Sequence, residues 1–221
     1  MKSISKKKIL LTKKGEELIA HYKTMVEHGY QRNDGSYVKN TYESFELKNF
    51  KDHLMPHFKS FNIKSVLDYG GGGSNWEKKG FANEKSAKSF FNLDKIINYE
   101  PARELNEIDN CECVVCFDVL EHIYINDLNK ILKDIYSHAK KLVVIQVACY
   151  EAAALLPTGE NAHITQRPPI WWKGFIDNIS IDYPQISTLL FCSTKYMHAE
   201  SFNIWNNAKY DEKEEFTVKL E

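Results

Sequence analysis

Ser65-Val-Leu-Asp-Tyr-Gly-Gly-Gly-Gly-Ser-Asn-Trp76 is a short apolar run that meets a turn built almost without side chains. Val66 and Leu67 suit a buried strand, and Asp68 falls where that strand ends. Successive glycines let the backbone bend sharply and come within contact distance of a ligand. A helix beginning near Ser74 or Asn75 would turn its free N–H groups toward the same spot. Strand, glycine turn and helix N-terminus together make a nucleotide-type ligand site.

Outward from this stretch, strands are expected at 64–69, 95–100, 113–118 and 141–148, and a late one at 186–192. Helices are expected at about 75–91, 121–139 and 170–179. Such alternation predicts an α/β, Rossmann-like fold: a mostly parallel sheet with right-handed crossovers and helices on both faces. Ligands in these sheets bind beyond the carboxyl ends of the strands, where Asp68, Glu100 and Asp118 fall. Ahead of the sheet, 9–28 and 43–60 carry apolar residues at helical spacing, among them Leu18, Tyr22, Leu54 and Phe58. They predict a helical cap over residues 1–60, before a ligand-binding domain at 61–210. The charged segment 211–221 is expected to be loosely held.

The chain has 221 residues, enough for one domain with a full core, and a formal net charge of −1. That balance argues against a surface built for nucleic acid or an anionic membrane. No apolar run approaches the ~20 residues of a membrane span. The basic start, Met1-Lys-Ser-Ile-Ser-Lys-Lys-Lys-Ile9, has no signal-peptide core behind it, so a cytoplasmic setting is expected. Cys111, Cys113 and Cys116 look briefly like a metal knuckle. Strand alternation would put 111 and 113 on one face and 116 on the other, so buried thiols in a reducing compartment are the better reading.

Glu100 ends the run Lys-Ile-Ile-Asn-Tyr-Glu, one helix and one returning strand beyond the glycine turn. An acid there can accept hydrogen bonds from both hydroxyls of a ribose. Asp68 stands two residues before the first glycine. Its charge would repel a pyrophosphate but can orient backbone amides or an amino group, which favours S-adenosylmethionine over a dinucleotide.

These residues resemble the class I, S-adenosylmethionine-dependent methyltransferases. Val66-Leu-Asp-Tyr-Gly-Gly-Gly matches their first motif, and Tyr99-Glu-Pro-Ala102 the end of their second strand. Val114-Val-Cys-Phe-Asp-Val-Leu-Glu-His-Ile123 is similar to their fourth-strand motif. Gly159-Glu-Asn-Ala-His-Ile-Thr-Gln-Arg-Pro-Pro-Ile-Trp-Trp172 resembles a bacterial and phage subgroup of unassigned substrate. The resemblance covers roughly residues 60–180 and implies cofactor contacts at Asp68, Tyr69, Gly70, Gly72, Glu100, Asp118 and Val119. One departure stands out: so few residues separate Glu100 from the fourth strand that the third strand must be shortened or missing. Asp109 is a weak candidate for holding the adenine amino group; apolar packing near Leu105 is the alternative.

Asp118-Val-Leu-Glu121-His122 supplies two carboxylates and an imidazole from one corner. They suit a divalent ion such as Mg²⁺, or a general base. The spacing is similar to that in small-RNA 2′-O-methyltransferases and ubiquinone-pathway O-methyltransferases, which use it to hold a divalent ion. His163, beyond the fifth strand, could complete the set, and His122 and His163 are the candidate bases. Asn161, Arg167, Trp171 and Trp172 are candidate substrate contacts, the tryptophans more simply core. The expectation is methyl transfer to an oxygen of a small molecule or sugar. The alternatives are a non-catalytic binder of S-adenosylmethionine or S-adenosylhomocysteine, and a NAD-dependent oxidoreductase.

Overall fold

A computed structural model describes residues 9–39, 45–195, 198–204 and 212–217. The anticipated strands form: β3 (Ser65–Tyr69), β4 (Lys95–Glu100), β6 (Cys111–Phe117), β7 (Ala139–Ala148) and β8 (Ser187–Lys195). They run parallel, and with β5 (Leu105–Asn106), β9 (His198–Ile204) and β10 (Glu212–Thr217) they make one eight-stranded sheet in the order β10-β9-β8-β7-β6-β3-β4-β5. Strands β5, β9 and β10 are antiparallel to their neighbours. A separate two-stranded hairpin joins β1 (Tyr30–Gln31) to β2 (Tyr37–Val38).

Helices cover both faces. α4 (Ile125–His138) and α5 (Pro169–Ser180) pack Leu128, Ile131, Trp172 and Ile176 against Leu67, Val114 and Val143. α2 (Lys51–Ser60) and α3 (Ala87–Phe91) pack Leu54, Phe58 and Phe91 against Val66, Cys113 and Val144. α1 (Lys13–His28) lies instead over the carboxyl edge. The expected cap is therefore divided: the first segment roofs the edge, while the second is an ordinary face helix behind a 3₁₀ turn at Glu46–Phe50. Residues 1–8 and 40–44 of that segment lie outside the described residues.

Three expectations are corrected. The helix expected over 75–91 forms only at Ala87–Phe91, capped by Ser86. Upstream, the Asn75 side chain accepts from the N–H groups of Glu77 and Lys78, each at 3.0 Å. Gly80 and Asn83 sit at φ 92° and 54°, outside helical space. The tail is not loose over Glu212–Thr217, which pair with β9 as a charged edge strand; residues 211 and 218–221 lie outside the described residues. The thiols of Cys111, Cys113 and Cys116 are buried as expected, but the register shifts between Cys111 and Cys113. Cys111 thereby joins the core of Cys116, and Cys113 the other face. The third strand is shortened as anticipated: a 3₁₀ turn at Pro101–Arg103 and the two-residue β5 fill its place. Among the described residues no helix is long and apolar enough to cross a membrane.

Candidate functional site

The strand order reverses between β3 and β6, the position where doubly wound sheets open a crevice for ligands. A cavity of about 490 Å³ lies there, roofed by Leu18, Ile19 and Tyr22 of α1 and floored by Gly70, Gly72, Glu100, Asp118, Val119 and His122. Its size is that of a small-molecule site. Three ties hold α1 in place. The backbone N–H and hydroxyl of Thr12 donate to Asp127 at 2.8 and 2.5 Å. Tyr22 Oη lies 2.5 Å from His122 Nδ1 and 3.3 Å from the carbonyl of Ala162. Lys23 pairs with Glu104. Gly15 lets the first tie form, since a Cβ there would stand 2.4 Å from Asp127 Oδ2.

Gly70 adopts φ 78°, which favours glycine, and a Cβ on it would meet Val119 Cγ2 at 2.6 Å. Gly72 also has positive φ, and its N–H donates to Glu100 Oε2 at 2.9 Å. The other oxygen of Glu100 accepts from the N–H of Ala102 at 3.0 Å. Each carboxylate oxygen can accept a second hydrogen bond, and Glu100 lines the cavity. Burial raises the Glu100 pKa above the usual carboxylate value, against those two hydrogen bonds.

Asp68 braces the turn and also borders the small recess beside Gly70 and Gly71. It is 3% exposed, and its Oδ2 accepts from the Ser74 hydroxyl at 2.6 Å and the Trp76 indole at 2.7 Å. Its pKa is raised by burial and pulled back by those two donors. The Tyr69 ring turns into the core against Tyr99, its hydroxyl donating to Asp134 at 3.1 Å; it edges the cavity without aiming a polar group there.

Asp118 ends β6 in the left-handed region, φ 57°, a conformation aspartate tolerates at some cost and one frequent at functional sites. Its carboxylate meets His122 and His163, one ligand atom of each lying within 4.8 Å of the others. His163 Nε2 stands 3.9 Å from Asp118 Oδ1, while its Nδ1 lies 2.5 Å from the carbonyl of Tyr150. A carbonyl only accepts, so Nδ1 carries the proton and Nε2 a lone pair. His122 repeats the device, with Nδ1 2.9 Å from the carbonyl of Ala162. Metal-bound imidazoles are commonly held in this way, with the other ring nitrogen donating to a backbone carbonyl. Burial pushes His122 down to about 4, with Asp118 opposing and His163 reinforcing the shift, so the ring is neutral near pH 7. A neutral ring is a competent ligand and a feeble base.

Glu121 does not join the three. It is fully buried, and one carboxylate oxygen accepts from the N–H of Ala148. The other, Oε2, has no hydrogen-bond partner among the described residues. Burial first, then Asp118, drives its pKa well above the usual range. The donor set is thus two imidazoles and one carboxylate, which suits manganese, iron, cobalt or zinc better than Mg²⁺ with its oxygen ligands.

Several other candidates fall away. Asp109 pairs with Lys95 at the opposite, amino edge of the sheet. Asn161 binds the backbone of Ala152 and His163, and Trp172 is core. Arg167 lies over Trp171, away from the cavity. Two site residues were missed. Tyr22 sits on an amphipathic helix, where an aromatic reads as core. Glu46 lines a recess of about 50 Å³ with Gly70, Gly71 and Asp118, and its pKa is raised by burial and by Asp118. Among the described residues no lysine or arginine lines that recess.

Compared with protein families, curated proteins and solved structures, the chain matches none.

Proposed function

We propose that this protein is an S-adenosylmethionine-dependent methyltransferase of the class I, Rossmann-like type, acting in the cytoplasm on an oxygen of a small molecule or sugar. The observation that carries the reading is the charge around the glycine turn. The Gly72 N–H is already given to Glu100, Asp118 and Glu46 stand on the turn's far side, and the nearest following helix starts only at Ala87. A pyrophosphate in the recess at Gly70 and Gly71 would meet Asp118 and Glu46, with no helix N-terminus among the described residues, while Arg103 lines the main cavity with Glu100. A sulfonium with its ammonium tail would meet the charges it needs.

In this reading Glu100 accepts from the ribose hydroxyls, and the cavity beneath α1 holds the adenosyl group. The methyl donor is already activated, so the protein must align the acceptor and receive its proton. S-adenosylmethionine held beneath α1 would supply an electrophilic methyl group to the acceptor oxygen, its sulfur keeping the electron pair of the carbon–sulfur bond. His163, with Nε2 directed toward Asp118, takes the acceptor proton. Alternatively, a divalent ion on Asp118, His122 and His163 would take up that Nε2 and, in place of the base, supply a Lewis acid that lowers the acceptor's pKa. Near-neutral formal charge argues for a small acceptor over a nucleic acid.

One observation favours a second reading, a NAD-dependent oxidoreductase. The strands fall in the order 3-2-1-4-5-6 of dinucleotide-binding sheets when β5 is counted as the third, although β5 runs antiparallel. Thermal unfolding with S-adenosylhomocysteine and with NAD separates the two. A ligand that binds only the folded chain raises the midpoint. A rise with the adenosyl compound alone supports methyl transfer; a rise with NAD alone overturns it. If S-adenosylhomocysteine binds, methyl transfer to any acceptor in a screen with and without Mn²⁺ separates the enzyme from a non-catalytic binder.

A further inference from the structure

The two imidazoles beside Asp118 are not supported alike. His163 is fixed from within its own loop. Its backbone N–H donates to Asn161 Oδ1 at 3.0 Å, its Nδ1–H reaches the Tyr150 carbonyl at 2.5 Å, and the Tyr150 ring stands edge-on to it with centroids 6.0 Å apart. His122 closes the 3₁₀ turn Leu120–His122, and its supports come from elsewhere in the chain. One is the Ala162 carbonyl, and the other is the Tyr22 hydroxyl of α1.

Tyr22, His122 and Ala162 close a triangle. The Nδ1–H of His122 faces two acceptors, the Ala162 carbonyl at 2.9 Å and Tyr22 Oη at 2.5 Å, and the phenol proton has the same carbonyl at 3.3 Å. The Tyr22 and His122 rings meet edge to face, with centroids 5.5 Å apart and planes at 89°. The last torsion of a histidine is soft, and one hydrogen bond leaves the ring room to swing. A second acceptor and a perpendicular ring take that room away. With Nδ1–H given to these acceptors, Nε2 is the nitrogen left to hold an ion. Partners of this kind fix an imidazole ligand in advance and raise its basicity.

We infer that Tyr22 is a positioning residue for a divalent ion on Asp118, His122 and His163: through its hydroxyl, α1 sets the second imidazole of the donor set. The inference rests on the divalent-ion alternative in the reaction proposed above. Leu18 and Met25, one turn before and after Tyr22, pack in the same cluster as Ala152, Leu156 and Ala162, so the helix is registered against the His163 loop as well. Tyr22 also lines the main cavity, so the roof of that cavity and the ion site share one helix.

The test is titration of the metal-free whole chain with Co²⁺, whose visible bands report the number and arrangement of its ligands. The native protein is compared with Tyr22→Phe, Thr12→Val and Asp118→Asn. Tyr22→Phe keeps the ring and the roof but loses the hydroxyl; it should weaken Co²⁺ binding about tenfold and shift the bands. Thr12→Val cuts a different tie of α1, at Asp127, and should leave affinity and bands as in the native protein. Asp118→Asn should abolish the bands, which assigns them to this site. Metal-free melting midpoints near the native value show that the variants fold. An unchanged affinity and spectrum in a folded Tyr22→Phe, or the same changes in Thr12→Val, would overturn the assignment. Bands that survive in Asp118→Asn, or no Co²⁺ binding by the native protein, would overturn it together with the divalent-ion alternative. The adenosyl reading would still stand on the glycine turn and its own test.

Discussion

Two corners meet at the switch point, and they use the same materials differently. β3 runs through Asp68 into Gly70, and β6 runs into Asp118; both chains then turn through the left-handed region, at φ 78° and 57°. At the first corner the bend is carried by glycine and the acid is walled in, with Ser74 and Trp76 donating to it. At the second the acid itself takes the bend, and its half-exposed carboxylate faces two histidines. A buried acid with its donors in place is scaffold. An acid held in a disfavoured conformation beside two anchored imidazoles is available for chemistry.

The contrast can be broken from either side. Removing Asp68 should have the largest effect: Asp68→Ala strands a buried indole N–H and a hydroxyl, costing about 4 kcal/mol in chemical denaturation. A cost under 1 kcal/mol would remove the distinction between the corners.

Acid should act mainly at the second corner. His122 titrates at about 4 in the folded chain against 6.5 in the unfolded one. Between those values the unfolded chain binds more protons, so stability rises with pH there. It is lost as pH falls from 6.5 to 4, by up to about 3 kcal/mol. The raised carboxyls of Asp68, Glu100 and Glu121 work in the opposite sense, losing stability as pH rises above the ordinary carboxylate range. Midpoints measured without metal across this window should fall in the native protein and flatten in His122→Asn; parallel curves would mean that other groups set the acid limit.

Gly70→Ala places a Cβ against Val119 at positive φ and should cost about 2 kcal/mol. Val119→Ala relieves the contact but not the backbone, so the double variant should recover only part of the loss, a coupling that a mutant cycle reads. Asp118→Asn should move stability least, by about 0.5 kcal/mol or less. It should nevertheless abolish any rise in midpoint that Mn²⁺ or Zn²⁺ gives the native protein. A metal-induced rise that survives in Asp118→Asn would place the ion elsewhere.

What the sequence revealed follows the same division. Strands β3, β4, β7 and β8 were legible because continuous apolar runs have one use, and Glu100 and Asp118 were legible because they end such runs. The role of Asp68 was not, since nothing in a linear pattern says that Trp76 folds back to it. The same indole, with Gly80 and Asn83, explains why no helix follows the turn. Tyr22 reaches His122 from a hundred residues away, a pairing that only the folded chain makes. Glu121 has the spacing of a ligand, but a backbone amide at the end of β7 claims one of its oxygens.

The three ties on α1 bear on time as well as on place. Two are inward, at Asp127 and at His122, and one, Lys23 with Glu104, lies on the surface. A molecule seated beneath the helix leaves only when the roof loosens, and the surface tie is the one that dissolved salt can weaken. Residence time should therefore shorten as ionic strength rises while the resting structure stays unchanged, making release of the spent ligand the step most open to the surrounding solution.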